Sequence, residues 1–111
     1  APAADPISLV FDGKHLWVGC FGGVGLYQVD VNGILLRSIS WVAGNPTGLA
    51  FDGKYLWICD RGSDLIYKTD LDGVIISSFA SPALNSSGLA FDGKHLWVND
   101  RVTALIYQLA I

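Results

Sequence analysis

The stretch FDGKHLWV at residues 11–18 returns letter for letter at 91–98, and FDGKYLWI stands between them at 51–58. The same phrase therefore begins every 40 residues. A period of that size marks a solenoid, a propeller or an array, in which each repeat buries its apolar surface only against its neighbours. The contents of one repeat decide among them.

Each copy reads as short β-rich runs separated by turn signals, with no amphipathic helix between them. Strand A covers about 8–11, 49–51 and 89–91. The pairs Asp12-Gly13, Asp52-Gly53 and Asp92-Gly93 follow it and suit the positive φ of a type I′ hairpin. Strand B is HLWV, YLWI and HLWV, and strand C carries Tyr27, Tyr67 and Tyr107 at one shared position. In DVNG (30–33) and DLDG (70–73) an Asp can accept from the backbone while Gly takes the left-handed position of a hairpin turn. Strand D is ILLRSI (34–39) and VIISSF (74–79).

Four antiparallel strands in a meander of about 40 residues describe a propeller blade. Runs such as LVF, LWV and GVII are apolar on both faces, which fits a sheet sandwiched between two others. The expected fold is an all-β propeller made of one repeat domain: blade one at about 7–40, blade two at about 47–80 and a partial blade three at about 87–111. A β-sandwich and an open β-array are the alternatives.

Composition agrees and excludes some partners. Half of the 111 residues are apolar (51%) and only 15% are charged, so the chain is not of the disordered class. Seven basic residues against ten Asp give a net charge of −3, without the basic footprint that phosphate recognition needs. No apolar run approaches the roughly 20 residues of a membrane helix. We expect neither nucleic acid nor membrane as a partner.

The pattern G-L-A-F-D-G-x-x-L-W, then D-R, then L-I-Y-x-x-D-x-D-G and an apolar strand resembles blades of the NHL and YVTN class of β-propellers. It is also similar to blades of streptogramin (virginiamycin B) lyase, which repeat a D-G-x-L-W core. The Trp-Asp ending of WD40 blades is absent, because Trp17, Trp57 and Trp97 precede Val, Ile and Val. The resemblance spans nearly the whole chain, yet its motifs specify a blade and not a chemistry.

In a meander the A–B and C–D turns share one rim, and the B–C and D–A connections share the other. The first set is nearly identical between copies. The second diverges: 19–25, 59–64 and 99–104 for B–C, with 41–47 and 80–87 for D–A. Divergent loops on a repeated scaffold are where binding concentrates. Ligand-binding candidates there are Phe21, Asp60, Arg61, Asp64, Asn99, Asp100 and Arg101. The Arg forks suit a carboxylate or sugar-like ligand. The structural alternative, favoured because Asp-Arg recurs at one repeat position, has each Asp tying down its own loop and each Arg pairing with an acid on the next blade.

His15 and His95 align with Tyr55, which speaks against a metal site and for solvated positions on the tight-turn rim. DVNG and DLDG lack the spacing and distal Glu of a calcium loop. No serine has a nearby His, and Cys20 has no basic neighbour, so no nucleophile emerges. Cys20 and Cys59 stand one residue out of register and point to opposite faces of equivalent strands. They read as reduced, mostly buried thiols acting as small hydrophobes.

Lyase and gluconolactonase-like propellers gather a divalent cation or acid–base residues around the central axis. This chain has no Glu and only two His. Asn45 and Asn85, near the starts of strands A, are the residues best placed to reach that axis and to hold a cation in a central channel. No cofactor is otherwise implied, and the expected function is a non-catalytic module binding through the loop rim. The alternative is part or a relative of a metal-dependent propeller enzyme of lyase or lactonase type.

Aligned by period, Ile111 matches Leu71, so the third copy holds strands A, B and C without D. A three-blade half-ring would bare a broad apolar face at each end. Two copies make a six-bladed ring, so a homodimer is expected, the chain itself being its partner. The opening APAADP resembles a processed or cut end, which favours a secreted or periplasmic location over a cytoplasmic one.

Overall fold

A computed structural model describes residues 5–21, 25–41, 45–82 and 85–109, with the backbone alone at Asp5, Pro6 and Phe21. Strands β1 (Asp5–Phe11), β2 (Leu16–Phe21), β3 (Gly25–Val29) and β4 (Leu35–Ser40) form one sheet in chain order. A second sheet holds β5 (Pro46–Phe51), β6 (Leu56–Asp60), β7 (Leu65–Thr69) and β8 (Ile75–Ala80). The third holds β9 (Ser86–Phe91), β10 (Leu96–Asp100) and β11 (Ile106–Leu109). Every pairing is antiparallel, and the registers repeat. Val18 lies between Leu9 and Tyr27, Ile58 between Leu49 and Tyr67, and Val98 between Leu89 and Tyr107. The sheets fan out like blades from their first strands, with β5 packed between β1 and β9.

Strand A is longer than expected, beginning at Asp5, Pro46 and Ser86. Each copy gains its extra residues through a register shift, between Pro6 and Ser8, Pro46 and Gly48, and Asn99 and Asp100. A bulge absorbs an unpaired residue, and proline is tolerated as the first residue of a strand. Polar and Pro-rich letters therefore hide the strand's start.

The A–B turns differ from a type I′ hairpin. Only the glycines are left-handed (φ 94, 100 and 100° at Gly13, Gly53 and Gly93), whereas type I′ needs positive φ at two successive residues. The aspartate carboxylate holds the turn instead. Asp12 Oδ1 accepts from the Lys14 and His15 N–H groups at 2.9 and 2.7 Å, and Oδ2 accepts from Trp17 Nε1 at 2.8 Å. Asp52 and Asp92 repeat all three bonds with Lys54, Tyr55 and Trp57 and with Lys94, His95 and Trp97. The Asp-Gly-x-x-Leu-Trp phrase is thus a turn and the clamp that fixes its own indole.

Partial burial pushes the Asp12 and Asp52 carboxyls up, but these hydrogen bonds outweigh it and hold both below the ordinary 3.8. At Asp92 the bonds from His95, Trp97 and Lys94 bring the pKa to about 2. A carboxylate whose folded pKa lies below its unfolded one stabilises fully above the unfolded value and loses that contribution as pH falls through the folded one. The urea midpoint should therefore be flat above about pH 5 and fall steadily toward about pH 2. A midpoint unchanged down to pH 2 would show the clamps to be energetically idle.

Two apolar clusters hold the blades together. Trp17, Leu26, Trp41, Leu49, Leu56, Ile58 and Tyr67 fill the junction of blades one and two. Ala50, Trp57, Cys59, Ile66, Leu96 and Val98 fill that of blades two and three. The first three strands of the middle blade thus bury both faces, the reason for apolar runs such as LWIC (56–59) and LIY (65–67), whereas its outer strand β8 stays largely exposed. Hydroxyls stitch the inner strands: Ser8 Oγ donates to the Pro46 carbonyl (3.2 Å) and Thr47 Oγ1 to the Ser86 carbonyl (2.9 Å). Gly48 lets the inner strands approach, since a Cβ there would stand 2.8 Å from the Leu89 nitrogen and 2.9 Å from the Gly88 carbonyl carbon. Neither cysteine is in a disulfide and both are buried, Cys59 against blade three and Cys20 in a small cluster with Val18, Tyr27 and Val29 on the outer face of blade one.

Candidate functional site

The B–C and D–A connections meet on one rim, joined by backbone and carboxylate bonds. Asp60 is fully buried at the end of β6. Its Oδ2 accepts from Trp41 Nε1 (2.6 Å) and the Asn45 N–H (3.0 Å), and its Oδ1 from the Ser63 N–H (3.1 Å). Asp100 occupies the same place in blade three and accepts from the Asn85, Val102 and Thr103 N–H groups. Hydrogen bonds, first that from Thr103, lower the Asp100 pKa. Each Asp therefore ties its own loop and also clasps the D–A connection beside it.

The arginines do otherwise. Arg61 and Arg101 donate their main-chain N–H to the Asn45 and Asn85 carbonyls, both at 3.1 Å. Among the described residues neither guanidinium pairs with an acid. The ion pair between blades is instead Arg37–Asp72 (3.1 Å), on the opposite rim, where Arg37 also donates to the Leu71 carbonyl and lies 5.7 Å over the Trp17 ring. The expected Arg staple is thus replaced by one from strand D, whose side chain is long enough to reach the neighbouring C–D turn.

Asp64 and Ala104 hold equivalent left-handed positions (φ 58 and 62°) in the B–C loops. Asp tolerates that region, whereas the Ala side chain can make no local hydrogen bond to offset it. Replacing Ala104 by Gly should raise stability by about 0.5–1 kcal/mol in urea denaturation, strain relief exceeding the added unfolded-state entropy. A loss of stability would contradict this backbone.

The remaining candidates do not converge. Asn99 Nδ2 donates to Ser87 Oγ (2.9 Å) on the outward face of blade three, away from the rim bonds. Asn45 and Asn85 immediately precede β5 and β9, and Asn45 Oδ1 is buried without a hydrogen-bond partner. The Phe21 side chain lies outside the described residues. His15 and His95 stand in the A–B turns, on the other rim. Among the described residues no three His, Cys or Asp side chains gather as a metal would need. Burial pushes the Cys59 thiol up, away from thiolate chemistry.

A groove of about 220 Å³ opens on blade three, lined among others by Gly88, Ala90, Trp97, Asn99 and Ile106. Trp97 lies opposite Ala90, and Asn99 opposite Gly88 and Ile106, so these residues share the face turned away from blade two.

No protein-family model matches the sequence, and no curated protein matches it. Solved structures do. Glutaminyl cyclase of Myxococcus xanthus superposes with a TM-score of 0.77 at 16% identity, covering 92% of this chain and 46% of that one. The WD40 repeats of RRP9 give 0.68 at 19% identity, covering 100% and 40%. A catalytically inactive virginiamycin B lyase from Staphylococcus aureus, with quinupristin, gives 0.62 at 19% identity, covering 100% and 43%. The chain spans less than half the length of each. At this identity the likeness establishes the fold: three antiparallel β-propeller blades of four, four and three strands among the described residues.

Proposed function

We propose that the chain is a non-catalytic propeller module that closes into a six-bladed ring with a second copy of itself and presents its divergent B–C and D–A loops as a binding rim. One observation carries this reading. At several repeat positions, residues that are buried where a blade has a neighbour are bare where it has none. Leu26 and Ile66 are fully buried, whereas Ile106 at the same position is 69% exposed. Leu49 is 5% exposed and its equivalent Leu9 62%. An apolar face of this kind is what a further blade covers, and rings of about four to eight blades are the closed forms of this architecture.

Sedimentation equilibrium at micromolar concentration should give twice the chain mass of 11.9 kDa. A folded monomer at that concentration would overturn the reading, and a trimer would replace six blades by nine. The enzyme alternative is separated by a thermal-shift titration. Submillimolar Ca²⁺ or Mg²⁺ should leave the melting temperature unchanged, because only a ligand selective for the folded state raises it.

A further inference from the structure

We infer that the ring closes head to tail, the outward face of blade three docking on the outer face of blade one of the second copy in the geometry of the two junctions inside the chain. This rests on the self-assembly proposed above and adds which surfaces meet and through which atoms.

The internal junctions are the template. At each, the inner strand of one blade lies against the inner strand of the next, and a hydroxyl crosses to a carbonyl: Ser8 to Pro46, Thr47 to Ser86. The residue one period after Thr47 is Ser87. Its Oγ accepts from Asn99 Nδ2, which leaves its proton to donate outward. One period before Pro46 and Ser86 stands Pro6, so the acceptor on the second copy is the Pro6 carbonyl. Gly48 shows how close the strands come, its missing Cβ being replaced by the backbone of Gly88 and Leu89. Gly88 is its equivalent, and there an added Cβ would meet only the Asn99 side chain, with Oδ1 at 2.8 Å. The space that the next strand fills at Gly48 is open at Gly88.

The two faces are complementary in kind. Blade three offers Ala90, half-buried Trp97 and exposed Ile106, the counterparts of Ala50, Trp57 and Ile66, which are buried against blade three. Blade one offers Leu9 (62% exposed) and Phe11 (50%), the counterparts of Leu89 and Phe91, which pack on that same blade-two surface. Val18, Tyr27 and Val29 beside them are already buried, so on blade one the surface left for docking is that of the inner strand, at Leu9 and Phe11. The two faces differ from each other, so each copy uses one of each and two copies form two equivalent junctions.

Gly88→Val and Leu9→Asp test this on the whole chain. Gly88 is not left-handed, and the group its Cβ would meet is the end of a flexible side chain. Leu9 is exposed, so both variants should keep the circular dichroism spectrum and cooperative unfolding of a folded protein. Each alone should sediment as a monomer, its dimer dissociation constant raised at least about tenfold. Mixed one to one, they should recover a heterodimer, because one of its two junctions then carries neither substitution. If either variant assembles like the parent, or the mixture yields no heterodimer, closure is not head to tail and this inference falls while self-assembly stands. A monomeric parent chain would remove both.

Discussion

Replacing Trp57 by Ala lowers the stability of the folded chain by about 3–5 kcal/mol, the range for truncating a large buried ring. The indole is 6% exposed at the junction of blades two and three and packs edge-on to Phe79, with ring centroids 6.3 Å apart. Its Nε1 donates to Asp52, so truncation also releases one arm of the turn clamp. Small domains hold about 5–15 kcal/mol in total, and such a loss takes about a fifth of it or more. Trp97 is the internal control. It has the same turn clamp, yet its face is bare in the single chain. Below the concentration of assembly, Trp97→Ala should therefore cost clearly less than Trp57→Ala. Equal costs in urea denaturation of the monomer would mean that blade three does not press on Trp57 as described.

What the sequence made legible was what it repeats. Asp12, Asp52 and Asp92 recur with their Gly and Trp, and the structure repeats their three hydrogen bonds. Apolar letters on both sides of the strands foretold a sheet buried on two faces, which holds for the inner strands of blade two but not for strand D, where Val74, Ile75 and Ile76 are exposed. The unrepeated contacts were not legible. Trp41 sits in a D–A connection where blade three has Ser81, so no periodicity marks it, yet it stacks edge-on against Tyr67 with centroids 5.0 Å apart and bonds to Asp60. Arg37 likewise has Ser77 as its counterpart. The recurrent Asp-Arg pair misled in a specific way. Each Asp ties its own loop, as expected, but the Arg contact with the D–A connection lies in a main-chain N–H that any residue other than proline supplies. Recurrence of a residue type therefore locates a contact without saying whether the side chain makes it.

Asp60 marks where loop rim and core become one structure, and its removal should be the second costly change. Asp60→Ala should lose about 3 kcal/mol. Three donors converge on this carboxylate, and an unsatisfied buried donor costs about 1–3 kcal/mol, part of which water recovers at the Ser63 end of the loop. The Trp41 indole is the donor that water reaches least, being 5% exposed beneath Tyr67 and against Gly25, where a Cβ would stand 2.8 Å from the Trp41 Cβ. Asp60→Asn should recover only part of the loss, because its amide brings an N–H₂ donor to a site already crowded with donors. Two comparisons separate this account from a generic loop effect. Asp100→Ala removes the equivalent clasp but no indole bond, so it should cost less. Trp41→Phe removes the indole N–H while keeping an aromatic ring on Tyr67, and combined with Asp60→Ala it should cost less than the two single changes added together, since both delete one shared bond. Strict additivity in that double-mutant cycle would mean that the Trp41–Asp60 bond is not what ties the D–A connection to the core.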